Sequence, residues 1–275
     1  MAYRKVDEAS LTAVADSIRE KGGTTGALAF PDGFVSAVQA IQAGGGEADS
    51  NFKDVIERTA VNPTLPSDLT KIGDYAFYNY ISLALTSLPD GVNSIGNYAF
   101  LNCENLALTS LPDGLTSIGN NAFYYCTSLA LTSLPGGVTS IGGYAFYYCT
   151  SLALTSLPGG VTSIGDYAFY YCTSLALTSL PDGVNSIGNY VFYKCSNLAL
   201  TSLPEKLTSI GGNAFVRCYG LSTLTFKGTP SSISSSAFNN CTNLTTINVP
   251  WAEGAVANAP WGAKNATINY NYTGE

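Results

Sequence analysis

The sequence predicts an α+β repeat solenoid, and three observations predict it. A nine-residue phrase returns at a fixed interval of 23 residues, reading IGDYAFYNY from Ile72 and IGNYAFLNC from Ile95. It recurs from Ile118, Ile141, Ile164, Ile187 and Ile210 and ends as a degenerate ISSSAFNNC from Ile233. All seven cysteines share one position of that phrase: Cys103, Cys126, Cys149, Cys172, Cys195, Cys218 and Cys241. The aromatic letters keep the same register, with Phe100, Phe123, Phe146 and Phe169 in one column. A period of this size marks stacked supersecondary units, each burying its apolar face on its neighbours.

Each element of one coil follows from local chemistry. Between Cys149 and Cys172, Leu152, Leu154 and Leu157 with β-favouring Thr155 predict a strand over SLALTSL. Pro158, Gly159 and Gly160 predict a turn. VTSIG then alternates apolar and polar, which predicts a short second strand with Val161 and Ile164 inward. Gly165 permits a bend, and Asp166 is placed to cap a single helical turn over YAFYYC. In that turn Ala168 and Cys172 face the core as an i, i+4 pair, with Phe169 beside them. Each buried Phe contributes about 1.5–3 kcal/mol, so the Phe column is expected to be the main stabilising spine. Stacked coils place neighbouring sulfurs in a column at a coil spacing of about 4.8 Å. An odd cysteine count at one phase does not form a disulfide framework. The column reads as a ladder of free thiols acting as small hydrophobes. A metal or redox ladder is the alternative, and neither a CxxC pair nor any histidine supports it.

The phrase IGxYAFxxC, followed by a Leu-rich segment ending in Pro, resembles the BspA-like class of leucine-rich repeats. The resemblance covers about two-thirds of the chain in eight units. It implies a curved solenoid with a β-sheet along one face and short helical or strand segments on the other. The family strand reads LxxIxIP, and here that form holds only in LSTLTF from Leu221 and LTTINVP from Leu244. Six earlier units, from Leu83 to Leu198, read LALTSLP. Moving one apolar residue by one place reverses the side it faces. A bulge after the second Leu is the expected remedy.

Two stripes are candidates for contact. Thr109, Thr132, Thr155 and Thr178 form a hydroxyl row along the main sheet, serving either as β-compatible filler or as a hydrogen-bonding platform. Tyr78, Tyr124, Tyr147, Tyr170 and Tyr193 share one phase, and Tyr is rigid, amphipathic and favoured at interfaces. These rings either cover the edge of the core or bind a sugar or protein. This phase is expected to be the more exposed, because its neighbours Phe146 and Cys149 point inward.

Four segments follow. Residues 1–46 read as a small helical module for attachment or oligomerisation, ending in the linker Gly44-Gly45-Gly46. Residues 47–71 read as an N-terminal cap containing a short helix over 51–60. Residues 72–250 are the solenoid. Residues 251–275 are a C-terminal cap in which Trp251 and Trp261 cover the last coil and ATINYNY from Ala266 closes it as a strand. The stretch ASLTAVADSIREKGGTTGALAFPDGFVSAVQAI resembles N-terminal modules of prophage tail-associated proteins of Firmicutes, which implies a phage-tail partner and a homo-oligomer through residues 1–46.

Composition narrows the function. The chain carries net charge −7 and only 11% charged residues, which lacks the basic footprint of a nucleic-acid binder. Without histidine there is no Ser-His-Asp or Cys-His nucleophile system. Asp90, Asp113 and Asp182 occupy turn positions beside Gly and are not paired as acid and base. No apolar run reaches the roughly 18 residues of a membrane span. The start, MAYRKVDEASL, does not lead into a signal-peptide core, so synthesis in a bacterial cytoplasm without a signal peptide is expected. The expected function is therefore non-catalytic and cofactor-free: contact with a host-surface protein or glycan. The chain would be virion-associated if it serves a phage tail, and on the cell surface if it is a BspA-like adhesin binding host matrix proteins or other bacteria.

Overall fold

In a computed structural model, which describes residues 61–274, each repeat closes one coil and lies in register on the next. The Ser-Ile pair of each VTSIG-type segment is the recurring strand. β1 (Lys71–Ile72), β2 (Ser94–Ile95), β3 (Ser117–Ile118), β4 (Ser140–Ile141) and β5 (Ser163–Ile164) form one parallel sheet. β6 (Ser186–Ile187), β8 (Ser209–Ile210) and β10 (Ser232–Ile233) form a second. A third joins β7 (Ser202–Leu203), β9 (Thr223–Phe226), β11 (Thr246–Asn248) and β12 (Thr267–Asn269), also in parallel. Pairing is equivalent residue on equivalent residue, as in Ile95 with Ile118. The inward Ile of every coil is buried, and the residue before it, Lys71 in the first coil and Ser in the others, is turned away from the core.

The structure corrects the expected helical turn, and with it the α+β assignment: the described repeats are a parallel-strand β-solenoid. The YAFxxC segment is a chain of tight turns containing two left-handed residues. Tyr144 and Tyr148 have φ of 57° and 60°, and the same two phases are left-handed in every coil from Tyr75 to Arg217. A right-handed helix cannot pass through such residues. The backbone donors alternate instead. Tyr144, Phe146 and Tyr148 donate to Asp166, Ala168 and Tyr170 of the next coil, while Ala145, Tyr147 and Cys149 donate three residues back. Every second amide thus continues the inter-coil ladder, and the intervening ones tighten the bend. Asp166 does not cap its own coil; its Oδ1 accepts from the Asn189 backbone N–H of the next one at 2.8 Å.

The LALTSLP segments depart from the expected strand. Leu152 and Leu154 are buried, Thr155 and Ser156 are both exposed, and Leu157 is buried again. Two successive outward residues break the period of two at the place where the bulge was expected. No strand forms there in the first five coils of the array. Where the spacing becomes LSTLTF, the pair of outward residues moves forward to Ser222 and Thr223, and regular β9 follows with Leu224 and Phe226 buried. The expected helices within residues 1–46 and over 51–60 lie outside the described residues.

The core is the set of columns. Phe100, Phe123, Phe146 and Phe169 are wholly buried and stack with centroids 5.3–5.5 Å apart and planes within 6°. The widest step, 5.7 Å, lies between Phe169 and Phe192, where Val191 stands at the position Ala holds in every other coil. The added methyls coincide with the break between the sheet ending at β5 and the sheet beginning at β6. Trp251 and Trp261 are buried at the C-terminal end and meet Phe226 at 5.2 and 6.0 Å. Trp261 also replaces a missing coil: its carbonyl accepts the Phe238 N–H at 2.9 Å.

The left-handed phases carry a direct test. Asn213 has φ of 57° and stands in the column of Tyr190. Asn213→Gly should leave the guanidinium unfolding midpoint unchanged or higher. Asn213→Val should lower stability by about 1–2 kcal/mol, because a β-branched residue is strained in that conformation.

Candidate binding face

The tight-turn segment positions the tyrosines. Its left-handed residues swing successive side chains to the outside of the coil, and the inter-coil bonds hold equivalent side chains one above another. Three stacked columns result. Tyr124, Tyr147, Tyr170 and Tyr193 follow at 4.5, 4.6 and 4.7 Å with nearly parallel planes. Tyr125, Tyr148 and Tyr171 follow at 4.7 and 4.3 Å. Tyr144, Tyr167 and Tyr190 follow at 4.6 and 4.8 Å. Tilted contacts such as Tyr147 with Tyr144 at 5.7 Å and with Tyr148 at 5.1 Å join the columns into one raft. Each stacked pair contributes about 0.5–1.5 kcal/mol, which offsets the strain of the left-handed tyrosines. The Lys194 ammonium sits 4.5 Å from the Tyr171 centroid and covers that end of its column.

Within the stacked columns, the most exposed rings differ from the expected ones. Tyr75 and Tyr144 are the open pair, at 41% and 36% exposure, and both belong to the first left-handed phase. Tyr78, Tyr124, Tyr147, Tyr170 and Tyr193 are half-buried. Leu101 stands between Tyr78 and the rest of its phase, and the Tyr78 ring meets Tyr75 at 5.7 Å. In the other four the ring faces are turned to one another, so the raft offers ring edges. Burial, reinforced by the surrounding phenols, raises Tyr124, Tyr147 and Tyr148, and pushes Tyr170 up to about 12.

Thr109, Thr132, Thr155 and Thr178 are all exposed and in register, on the side that carries the broken strand pattern. A separate trough of about 520 Å³ runs across β1 to β5, lined by Ser117, Ser140, Gly119, Gly142 and Asn120 among others. Its glycines are required by close approach: a Cβ on Gly119 would lie 2.5 Å from the Gly96 carbonyl carbon. Beside them runs a ladder of Asp and Asn that sequence reasoning missed. Asp74, Asn97 and Asn120 each accept the backbone N–H of the next coil, at 2.6, 2.9 and 2.7 Å, and Gly143 ends the run. The recurrence of Asp or Asn two places after the phrase Ile was the available signal.

The thiols lie beneath the raft. Each of the seven is buried and outside any disulfide, and each donates to the carbonyl of the Phe one coil earlier, as Cys149 does to Phe123 at 3.0 Å. Burial pushes the Cys126, Cys149, Cys172 and Cys218 thiols well above their ordinary value, and Cys241 to about 12. Such thiols are poor nucleophiles and poor metal ligands at neutral pH. Among the described residues no three Cys, Asp or Glu side chains gather in a way that could hold a metal ion, and no helix is long and apolar enough to cross a membrane.

Comparison with known proteins agrees with this geometry. The pattern describing the BspA type leucine rich repeat region matches residues 52–176 and 162–253. A crystal structure of a leucine-rich repeat protein from Bacteroides ovatus ATCC 8483 aligns at 27% identity with a TM-score of 0.55, over 78% of this chain and 61% of that one. This chain therefore spans less than two thirds of that protein's length. A leucine-rich repeat protein of T. pallidum aligns at 36% identity with a TM-score of 0.51, over 59% of this chain and 78% of that one. No curated protein matches.

Two solution properties follow. A disulfide reagent such as Ellman's should titrate none of the seven thiols in the folded chain and all of them in guanidinium. The raised phenols set an alkaline limit. The unfolded chain releases these protons first, so the raft's contribution is fully present below pH 10.0 and is lost as pH rises toward about 12. Tyrosinate absorbance and circular dichroism recorded together should show late-titrating phenols ionising as the fold is lost.

Proposed function

The chain belongs to the BspA-type leucine-rich repeat family, and on that premise we propose that it is a non-catalytic recognition protein whose tyrosine raft contacts a host-surface glycan or protein. The observation that carries this reading is the raft itself: rigid phenols, half-buried and stacked in register across successive coils. Tyr supplies contact area at low conformational cost, so an ordered array loses little entropy on binding. The low charge favours neutral polar partners over polyelectrolytes. The exposed row of Thr109, Thr132, Thr155 and Thr178 is a second platform on another side. In this reading residues 1–46 attach the solenoid to a larger assembly and oligomerise it. A phage tail is one such assembly, which the resemblance of that segment favours. A bacterial surface is the other, making the chain a BspA-like adhesin, which family membership favours.

The test is a glycan array and host-cell binding assay on the full chain and two variants. Tyr147→Ser, Tyr170→Ser and Tyr193→Ser together should abolish binding with circular dichroism unchanged. Thr132→Ala, Thr155→Ala and Thr178→Ala together should leave it intact. The opposite pattern would move the contact to the threonine face, and loss in neither variant would exclude both.

A further inference from the structure

We infer that the tyrosine raft is a site of oxidative cross-linking, at which a one-electron oxidant joins phenols of successive coils into dityrosine within one chain. The argument begins with where an oxidant can act. Cys, Met, Trp and Tyr are the readily oxidised side chains. All seven cysteines are buried and hydrogen-bonded to Phe carbonyls, both tryptophans are buried, and the single methionine is Met1. Tyrosine edges are thus the oxidisable groups displayed along the array.

Coupling requires two phenoxyl radicals held close together, and the columns supply this. Tyr147 and Tyr170 stack at 4.6 Å with planes 7° apart, and Tyr148 and Tyr171 at 4.3 Å with planes 11° apart. Contacts between columns, such as Tyr148 with Tyr170 at 5.9 Å, give a radical formed elsewhere a path to these pairs. Each phenol gives up one electron and one proton. The two ortho carbons then bond, and their hydrogens shift to the ring oxygens. With a haem peroxidase as the one-electron oxidant, two tyrosines and one hydrogen peroxide yield one dityrosine and two waters. The product staples residues 23 apart, coil to coil, a role that the sequestered thiols cannot take.

The full chain treated with a haem peroxidase and hydrogen peroxide tests this. Cleavage before aspartate places Tyr144, Tyr147 and Tyr148 in 113–165 and Tyr167, Tyr170 and Tyr171 in 166–181. The expected result is dityrosine fluorescence, a chain that stays monomeric on a denaturing gel with two hydrogens lost per link, and these two peptides joined through 144–167, 147–170 or 148–171. The triple variant Tyr144→Phe, Tyr147→Phe, Tyr148→Phe keeps the rings and their stacking but should lose this joined peptide. Dityrosine found only between chains, an equal yield of the joined peptide from chain oxidised in guanidinium, its persistence in the triple variant, or no dityrosine at all would each overturn the inference.

Discussion

Stacking by pure repetition makes every side chain its own neighbour, and the rest of the structure answers to that constraint. A group can stand in a column only if it is complementary to a copy of itself about one coil away. Flat rings satisfy this by stacking, as Phe123 does on Phe146. Groups that both donate and accept satisfy it by pointing at backbone, as each cysteine thiol does toward the preceding Phe carbonyl. A charge does not. Two like charges one coil apart repel by about 1 kcal/mol even in water. In the ladder beside the trough, Asp74 is followed by Asn97 and Asn120, and Asp166 by Asn189, so no carboxylate stacks on another. The 11% charged content and the Tyr, Thr, Ser and Asn surface follow from the same rule.

Much of the architecture was legible because the columns were legible. Register, the buried Phe, Leu and Cys positions, and the free thiols all followed from letters recurring at one phase. The backbone of the turn segment was not. YAFYYC reads as a helical turn by spacing and capping, and it is nonhelical because two of its residues are left-handed. The clue was the exchange of Tyr144 for Asn121 and of Tyr125 for Asn102 at matching positions, since Asn is the residue other than Gly most at ease there. Tyrosine in the same places hid the signal. The rings tolerate the conformation because their partners above and below hold them.

The exposure of the tyrosines was misjudged for the same reason. On a helix the ring of Tyr147 would have pointed away from its neighbours. On the alternating turn it lies between the columns of Tyr144 and Tyr148, and Tyr144 takes the outer place. The LALTSLP segments were better anticipated. Two outward residues in succession, Thr155 and Ser156, fall where the spacing of the leucines demands a kink. Whether a strand then forms depends also on the neighbouring coil: the Leu198 unit reads LALTSLP like the five before it, yet its Ser202–Leu203 pairs with β9 of the LSTLTF unit.

The equivalence of successive coils has one more consequence. From β2 to β5 the upper surface of each unit matches the lower surface of the one above, residue for residue. Excising or duplicating one whole unit creates no new interface, so the array can lengthen or shorten by recombination between near-identical gene segments while each remaining junction keeps its chemistry. A point change meets two neighbours at once and has no such freedom. Reach is thus the property this design leaves open to rapid variation, and the chemistry of each rung is the property it holds in place.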